Sequence, residues 1–184
     1  LSAVGWGRVW STDAKLYLPL FYFARMNRIP ILALNIEPSL RRKISKKGFN
    51  GVPVEEREGV TRPAEASNAY LDYLLPIYQQ HDRKNKKGDK ISRDDPDFRR
   101  FIASQQLWDR AMAQILNEAL EKAPDGKKPL VVGIMGMGHV QYGYGVPHQL
   151  KDLGTNQIAS LIPWDVNRSC KRFVPGIADA VFGV

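Results

Sequence analysis

Three residues of this chain are suited by type and spacing to hold a ligand: His139, Tyr142 and Tyr144, in the stretch GMGHVQYGYGVP. A phenolate oxygen is a hard anionic ligand that suits ferric iron, including ferric haem, and an imidazole nitrogen binds most transition metals. These three are therefore the candidate metal-ligating residues. His148 follows closely, so two of the three histidines lie in this region. Gly136, Gly138, Gly143 and Gly145 leave the backbone free to turn tightly or to approach a ligand. Further upstream, Gln105 and Asp109 stand one helical turn apart in the middle of an apolar stripe. A buried amide and a buried carboxylate are costly unless they are hydrogen-bonded, so their placement points to a polar pocket rather than a seamless core. Arg25, within FYFARMNRIP, is a further candidate for pairing with acidic groups such as propionates. Met137, Val140 and Val146 are candidates for facing a macrocycle.

Several chemistries find no support. His139 and His148 have neither helical zinc spacing nor an HExxH pattern. No G-x-S-x-G nucleophile elbow occurs. Cys170, the single cysteine, has no local catalytic partner and cannot form an internal disulfide. The Gly136-Met137-Gly138 turn lacks the lysine of a phosphate loop. No catalytic residue is assigned on this basis.

The elements that must position these residues follow from periodicity and punctuation. Leu130 to Met135 is a continuous apolar run, which predicts a fully buried strand ending at the glycine-rich turn. Ile31 to Ile36 predicts a second strand, with Asn35 at its carboxyl end, where open α/β sheets place ligands or where a side chain caps the next turn. Ile158 to Ile162 predicts a third. Helices are expected over Ala14 to Arg28, over Leu40 to Lys47 with Gly48 as its stop, and over Asn68 to Gln80 with a break near Pro76. Tyr70, Tyr73 and Tyr78 in that last helix read as packing residues. The long helix is expected from Asp97 to Lys122, with a stripe of Phe98, Phe101, Ile102, Trp108, Met112, Ile115, Leu116 and Ala119. Pro147 opens a short helix that ends at Gly154. His81 to Asp95 reads as a charged, mobile linker, and the tail from Cys170 to Val184 should pack on the body. This order predicts an α/β fold, a mostly parallel sheet flanked by helices, in one domain over residues 1–184.

The net charge is +8, which raises the question of nucleic acid. Much of the excess lies in two clusters: Arg41-Arg42-Lys43 with Lys46-Lys47, and Arg83-Lys84 with Lys86-Lys87. Neither is interleaved with aromatic residues, as a single-strand binding site would be. A solvated face and a loop account for them, so no nucleic-acid partner is expected. No segment reaches the roughly 20 apolar residues of a membrane span. The chain opens at Leu1, and the reading expects that an amino-terminal region, with any export signal or lipid anchor, lies outside it.

The blocks FIASQQLWDRAMAQIL (101–116) and LVVGIMGMGHVQYGYGVPHQL (130–150) resemble the ChaN-like haem-binding family of the Tiki superfamily, which also includes TraB-type proteins. The likeness continues through LYLPLFYFARMNRIPILALNI (16–36), the LIPW segment and the terminal GIADAVF. The resemblance implies a ChaN/EreA-like parallel α/β domain that binds ferric haem and serves bacterial iron acquisition and haem uptake. It also implies a cell-envelope location, often as a lipoprotein, with the membrane reached only through an anchor, and haems that can meet across a homodimer interface. The iron would be held by a tyrosine: Tyr142 or Tyr144 by position, with Tyr17 and Tyr22 in reserve. Gln105, Asp109, His139, His148 and Arg25 would complete the haem site. An earlier G-x-x-H or G-E-x-H motif, in a first strand-helix unit of the superfamily, is missing here. Gly136-Met137-Gly138-His139 can represent only the second such motif. The alternative implied by the superfamily is a metal-dependent hydrolase or peptidase, with His139 on a divalent metal and Asp109 as acid-base or ligand.

Overall fold

The computed structural model describes residues 5–9, 12–81, 91–122, 128–167 and 173–184. The second basic cluster, residues 123–127 and Cys170 lie outside these, as does most of the expected linker. The chain divides into two compact units, Leu1–Ala33 and Leu34–Val184.

In the first unit, helix α1 (Trp6–Val9) precedes a 3-10 turn (Ala14–Tyr17) and helix α2 (Leu18–Met26). Asp13 caps the turn by accepting from the Lys15 amide at 2.9 Å. Pro19 falls in the first turn of α2, where its missing N–H costs nothing. The indole of Trp6 packs against Tyr17 and Phe21.

The second unit is built around one helix. Helices α3 (Pro38–Lys47), α4 (Asn68–His81) and α6 (Val146–Asp152) all surround α5 (Pro96–Glu121). Asp95 starts α5 by accepting from the amides of Asp97 and Phe98. Leu107 and Ala111 meet Leu40 and Ile44 of α3; Met112, Ala113 and Leu116 meet Val146 and Leu150; Phe98 and Ile102 meet Tyr70 and Leu74 of α4. The helix is thus buried on more faces than a single apolar stripe implies. Arg110, also buried, reaches out of this core to Thr61 at 2.8 Å and Asp152 at 2.6 Å, tying a loop and α6 to α5. Gly48 ends α3 at a φ of 70°, as expected. Pro76 lies inside α4 without breaking it, so the expected break does not occur.

The sheet is smaller than expected. Strand β1 (Leu161–Trp164) pairs in parallel with β2 (Ala180–Gly183), Ile162 opposite Val181. The tail contributes a strand, with Ile177 buried and Phe173 and Phe182 largely exposed. Neither 31–36 nor 130–135 forms a strand. Both run extended, without ladder hydrogen bonds among the described residues. Val131, Met135 and Leu34 pack on α5 and α6, whereas Leu130, Val132 and Ile134 are 91%, 71% and 56% exposed. Only one side of the apolar run is covered, which corrects its reading as a fully buried strand. The molecule is largely helical with a two-stranded parallel sheet, compatible with an α/β fold.

Candidate functional site

The centre of the site is a carboxylate supplied by α5. Asp109 is fully buried at 0% exposure, and both of its oxygens are used. The Tyr70 hydroxyl donates to Oδ2 at 2.8 Å, and Nδ1 of His139 lies 2.6 Å from Oδ1. His139 arrives from the opposite side, in a 3-10 turn (Met137–His139) that follows the extended 130–135 segment. An ionised carboxylate only accepts, so the pairing assigns the proton to Nδ1 and leaves the Nε2 lone pair available. Nε2 bonds to no described residue. A carboxylate behind one imidazole nitrogen is the arrangement that orients a histidine and raises its basicity as a ligand.

The loop after His139 closes over this pair because of one glycine. A Cβ on Gly145 would stand 2.5 Å from the His139 carbonyl oxygen and 3.1 Å from Asp109 Oδ1. No other side chain fits there. Tyr142 takes a left-handed φ of 57°, costly for an aromatic residue. Its amide donates to the Ile177 carbonyl at 2.9 Å, which pins the loop to the tail segment.

Four tyrosines meet beside the dyad. Tyr142 and Tyr144 stack with ring centres 5.4 Å apart, Tyr73 contacts both at 5.7 and 6.0 Å, and Tyr70 lies 6.0 Å from Tyr144. Their hydroxyls differ. Tyr70 donates to Asp109 and Tyr73 to Gln141 Oε1, whereas those of Tyr142 and Tyr144 bond to no described residue. Burial, and then the Asp109 charge, push the Tyr70 phenol far above its usual range. Tyr73 is also raised, first by burial and then by Tyr142. Tyr70 and Tyr73 are therefore held neutral.

The other side of His139 is covered by Trp108, whose ring meets the imidazole edge-on at 4.8 Å. Asn35 fixes that ring: its Oδ1 accepts from Trp108 Nε1 at 2.9 Å and from the Ile36 amide at 3.0 Å. Asn35 thus positions the indole; the residue that precedes α3 as its N-cap is Glu37. The Arg41 guanidinium lies over the far face of this assembly, 4.0 Å from the Trp108 ring centre.

Asp109, His139, Tyr142 and Tyr144 lie in one cluster. Gln105 is half-buried one turn before Asp109 and bonds to no described residue. His148 is committed elsewhere, its Nε2 donating to the Glu65 carbonyl at 2.9 Å. Arg25 is exposed on α2, in the first unit, as is Tyr22. Val146 is a core residue, 2% exposed, so it cannot face a macrocycle. The sequence reading missed Tyr70 and Tyr73 as site residues, along with Trp108 and Arg41. The i,i+3 spacing of the two tyrosines, which puts both on one face of α4, was the available signal.

No three His, Cys, Asp or Glu side chains converge among the described residues. The donors that do converge are two phenols and one imidazole, and a single phenolate or imidazole suffices to ligate haem iron.

Asp109, His139 and the four tyrosines thus form one partly buried cluster of phenol and imidazole donors. The chain belongs to the family described as haem-binding uptake, Tiki superfamily, ChaN, which matches residues 1–150 and so spans both units. No curated protein and no solved structure matches it.

Proposed function

We propose that this protein binds ferric haem beside the Asp109–His139 dyad, with Tyr142 or Tyr144 as the iron ligand, in bacterial haem uptake. The observation that carries this reading is the division among the four clustered tyrosines. Two have hydroxyls engaged and held neutral, and two have hydroxyls uncommitted. A phenol whose oxygen already donates to a carboxylate or an amide must give up that bond to ligate iron; Tyr142 and Tyr144 need not. The Tyr142 conformation adds to this, because backbone strain held by the surrounding structure is typical of ligand-binding positions. When bound, haem would supply a ferric centre that accepts an oxygen ligand from Tyr142 or Tyr144. The chain's own part is to present that oxygen, to stack aromatic rings around it and to keep His139 oriented through Asp109. Homodimerisation and an envelope location belong to the same proposal.

Titration with ferric haem, followed by absorption, tests it. Tyr142→Phe and Tyr144→Phe keep the ring stacking and remove only the hydroxyls. The ligand's replacement should weaken binding by at least about tenfold, equivalent to roughly 1.4 kcal/mol, and should change the Soret position. A Soret spectrum and affinity unaltered in the double variant would exclude tyrosine ligation. If His139→Ala alone abolished binding, the ligand would be the imidazole.

A further inference from the structure

The basic face of α3 reads in the sequence as solvated charge, but its local chemistry is more specific. A cleft of about 230 Å³ lies between α3 and α5, lined by Pro38, Arg41, Arg42, Ser45, Lys46 and Ser104. Three cations and two hydroxyls therefore converge on one concavity. None of the three cations is ion-paired to a described residue; the nearby Lys43, by contrast, is paired with Glu56 at 2.8 Å. Arg42 and Lys46 are exposed, and exposed lysines and arginines alone would be unremarkable. Arg41 is different. Its Nε is buried and has no hydrogen-bond partner, and a buried donor without an acceptor costs free energy. Its guanidinium is also immobilised against the Trp108 ring, so its donors are held in place rather than free to follow water. Burial, and then the Arg42 charge, both lower the Arg41 pKa, the signature of a cation that lacks a counter-charge.

We infer that Arg41, Arg42 and Lys46, with the hydroxyls of Ser45 and Ser104, form a binding site for one oxyanion group, a carboxylate or a phosphate. Such a group would accept from the terminal nitrogens of the Arg41 guanidinium and from the two serines, and would offset the convergent positive charge. A planar guanidinium matches either oxyanion bidentately. The oxyanion has two possible sources. One is a carboxylate arm of the ligand at His139, because Arg41 and His139 both contact the Trp108 indole; that source rests on the haem reading. The other is free inorganic phosphate, which does not.

The experiment separates them with the whole chain and the exposed pair changed together, Arg42→Gln and Lys46→Gln, positions whose exposure leaves the core intact. Calorimetric titration with inorganic phosphate at low ionic strength should give saturable binding that the double variant weakens at least about tenfold. A parallel titration compares ferric haem with its dimethyl ester, which lacks the carboxylates. If the source is the carboxylate arm, the wild type prefers the free acid by roughly tenfold, and the variant loses that preference. Ser104→Ala, which removes one neutral donor, should weaken whichever oxyanion binds by a few-fold. Loss of haem binding altogether, with phosphate still bound and still sensitive to the variant, would reject the haem reading and keep this site. No saturable phosphate binding, together with equal affinity for haem and its ester, would overturn it.

Discussion

The Asp109→Asn variant isolates the centre of the site. The substitution preserves shape and removes the charge and one acceptor. Asp109 now serves two donors, the Tyr70 hydroxyl at 2.8 Å and His139 Nδ1 at 2.6 Å, from a position without solvent. An asparagine offers one oxygen, so one of those groups must face its NH2. Losing one buried hydrogen bond to a charged acceptor costs about 1.5–3 kcal/mol. At roughly 2–4 °C per kcal/mol for a chain of this size, the melting temperature should fall by about 3–12 °C. The more informative readout is the histidine. If the amide turns its NH2 toward Nδ1, the ring proton moves to Nε2, and the outward lone pair is lost. Nitrogen-15 NMR of His139 should show Nδ1–H in the wild type and Nε2–H in the variant. Tyr70→Phe combined with Asp109→Asn should cost less than the sum of the two, by about 1 kcal/mol, because both act on one carboxylate. Unchanged melting with an unchanged tautomer would refute the dyad as the organising contact.

Two further outcomes follow from the same geometry. Gly145→Ala should destabilise by about 2 kcal/mol or more, since its Cβ meets the His139 carbonyl oxygen at 2.5 Å. Gly143→Ala, with φ at 68° and open space around it, should cost only about 1 kcal/mol; similar urea midpoints for the two would contradict this. Tyr70 provides a pH test. Its folded pKa lies above the unfolded value of about 10. Its contribution is therefore complete below about pH 10 and is lost as the pH rises further, when the unfolded chain sheds a proton that the folded one keeps. Tyr70→Phe should flatten the alkaline limb of the stability profile; an unchanged slope there would rule Tyr70 out.

Helices were legible where local signals agree with tertiary packing. The cap at Asp95, the glycine stop at Gly48 and the apolar spacing of 98–116 are properties of short windows, and each element formed within a residue or two of its expected ends. Asp109 inside the α5 stripe was readable too, because its burial without partners would be prohibitive; Gln105, half-buried and bonded to no described residue, did not follow that argument. Of the three expected strands only the last formed, at Leu161–Trp164 rather than Ile158–Ile162. A continuous apolar run states that a segment avoids water, but not that a neighbour is present to complete its ladder, and 130–135 remains extended with one side open. Tyr70 was misjudged for a similar reason: a tyrosine on a helix face is compatible with packing and with hydrogen bonding, and the partner that decides lies 39 residues away. Arg41 needed the position of Trp108, which no local pattern encodes.

Trp108, Asp109 and Arg110 are consecutive, and the roughly 100° between successive helical residues sends them to three different neighbours: the α3 cation face, the histidine, and the Thr61 loop with Asp152. One turn of α5 therefore behaves as a common shaft. A rotation of that turn by a fraction of a residue would loosen the Arg41 stack, the grip on His139 and the Arg110 ion pair together. Conversely, a group that tightens any one of them resists rotation at all three. Occupancy at the cation face and order at the dyad should then be thermodynamically linked in both directions, through a single helical turn rather than a chain of separate contacts.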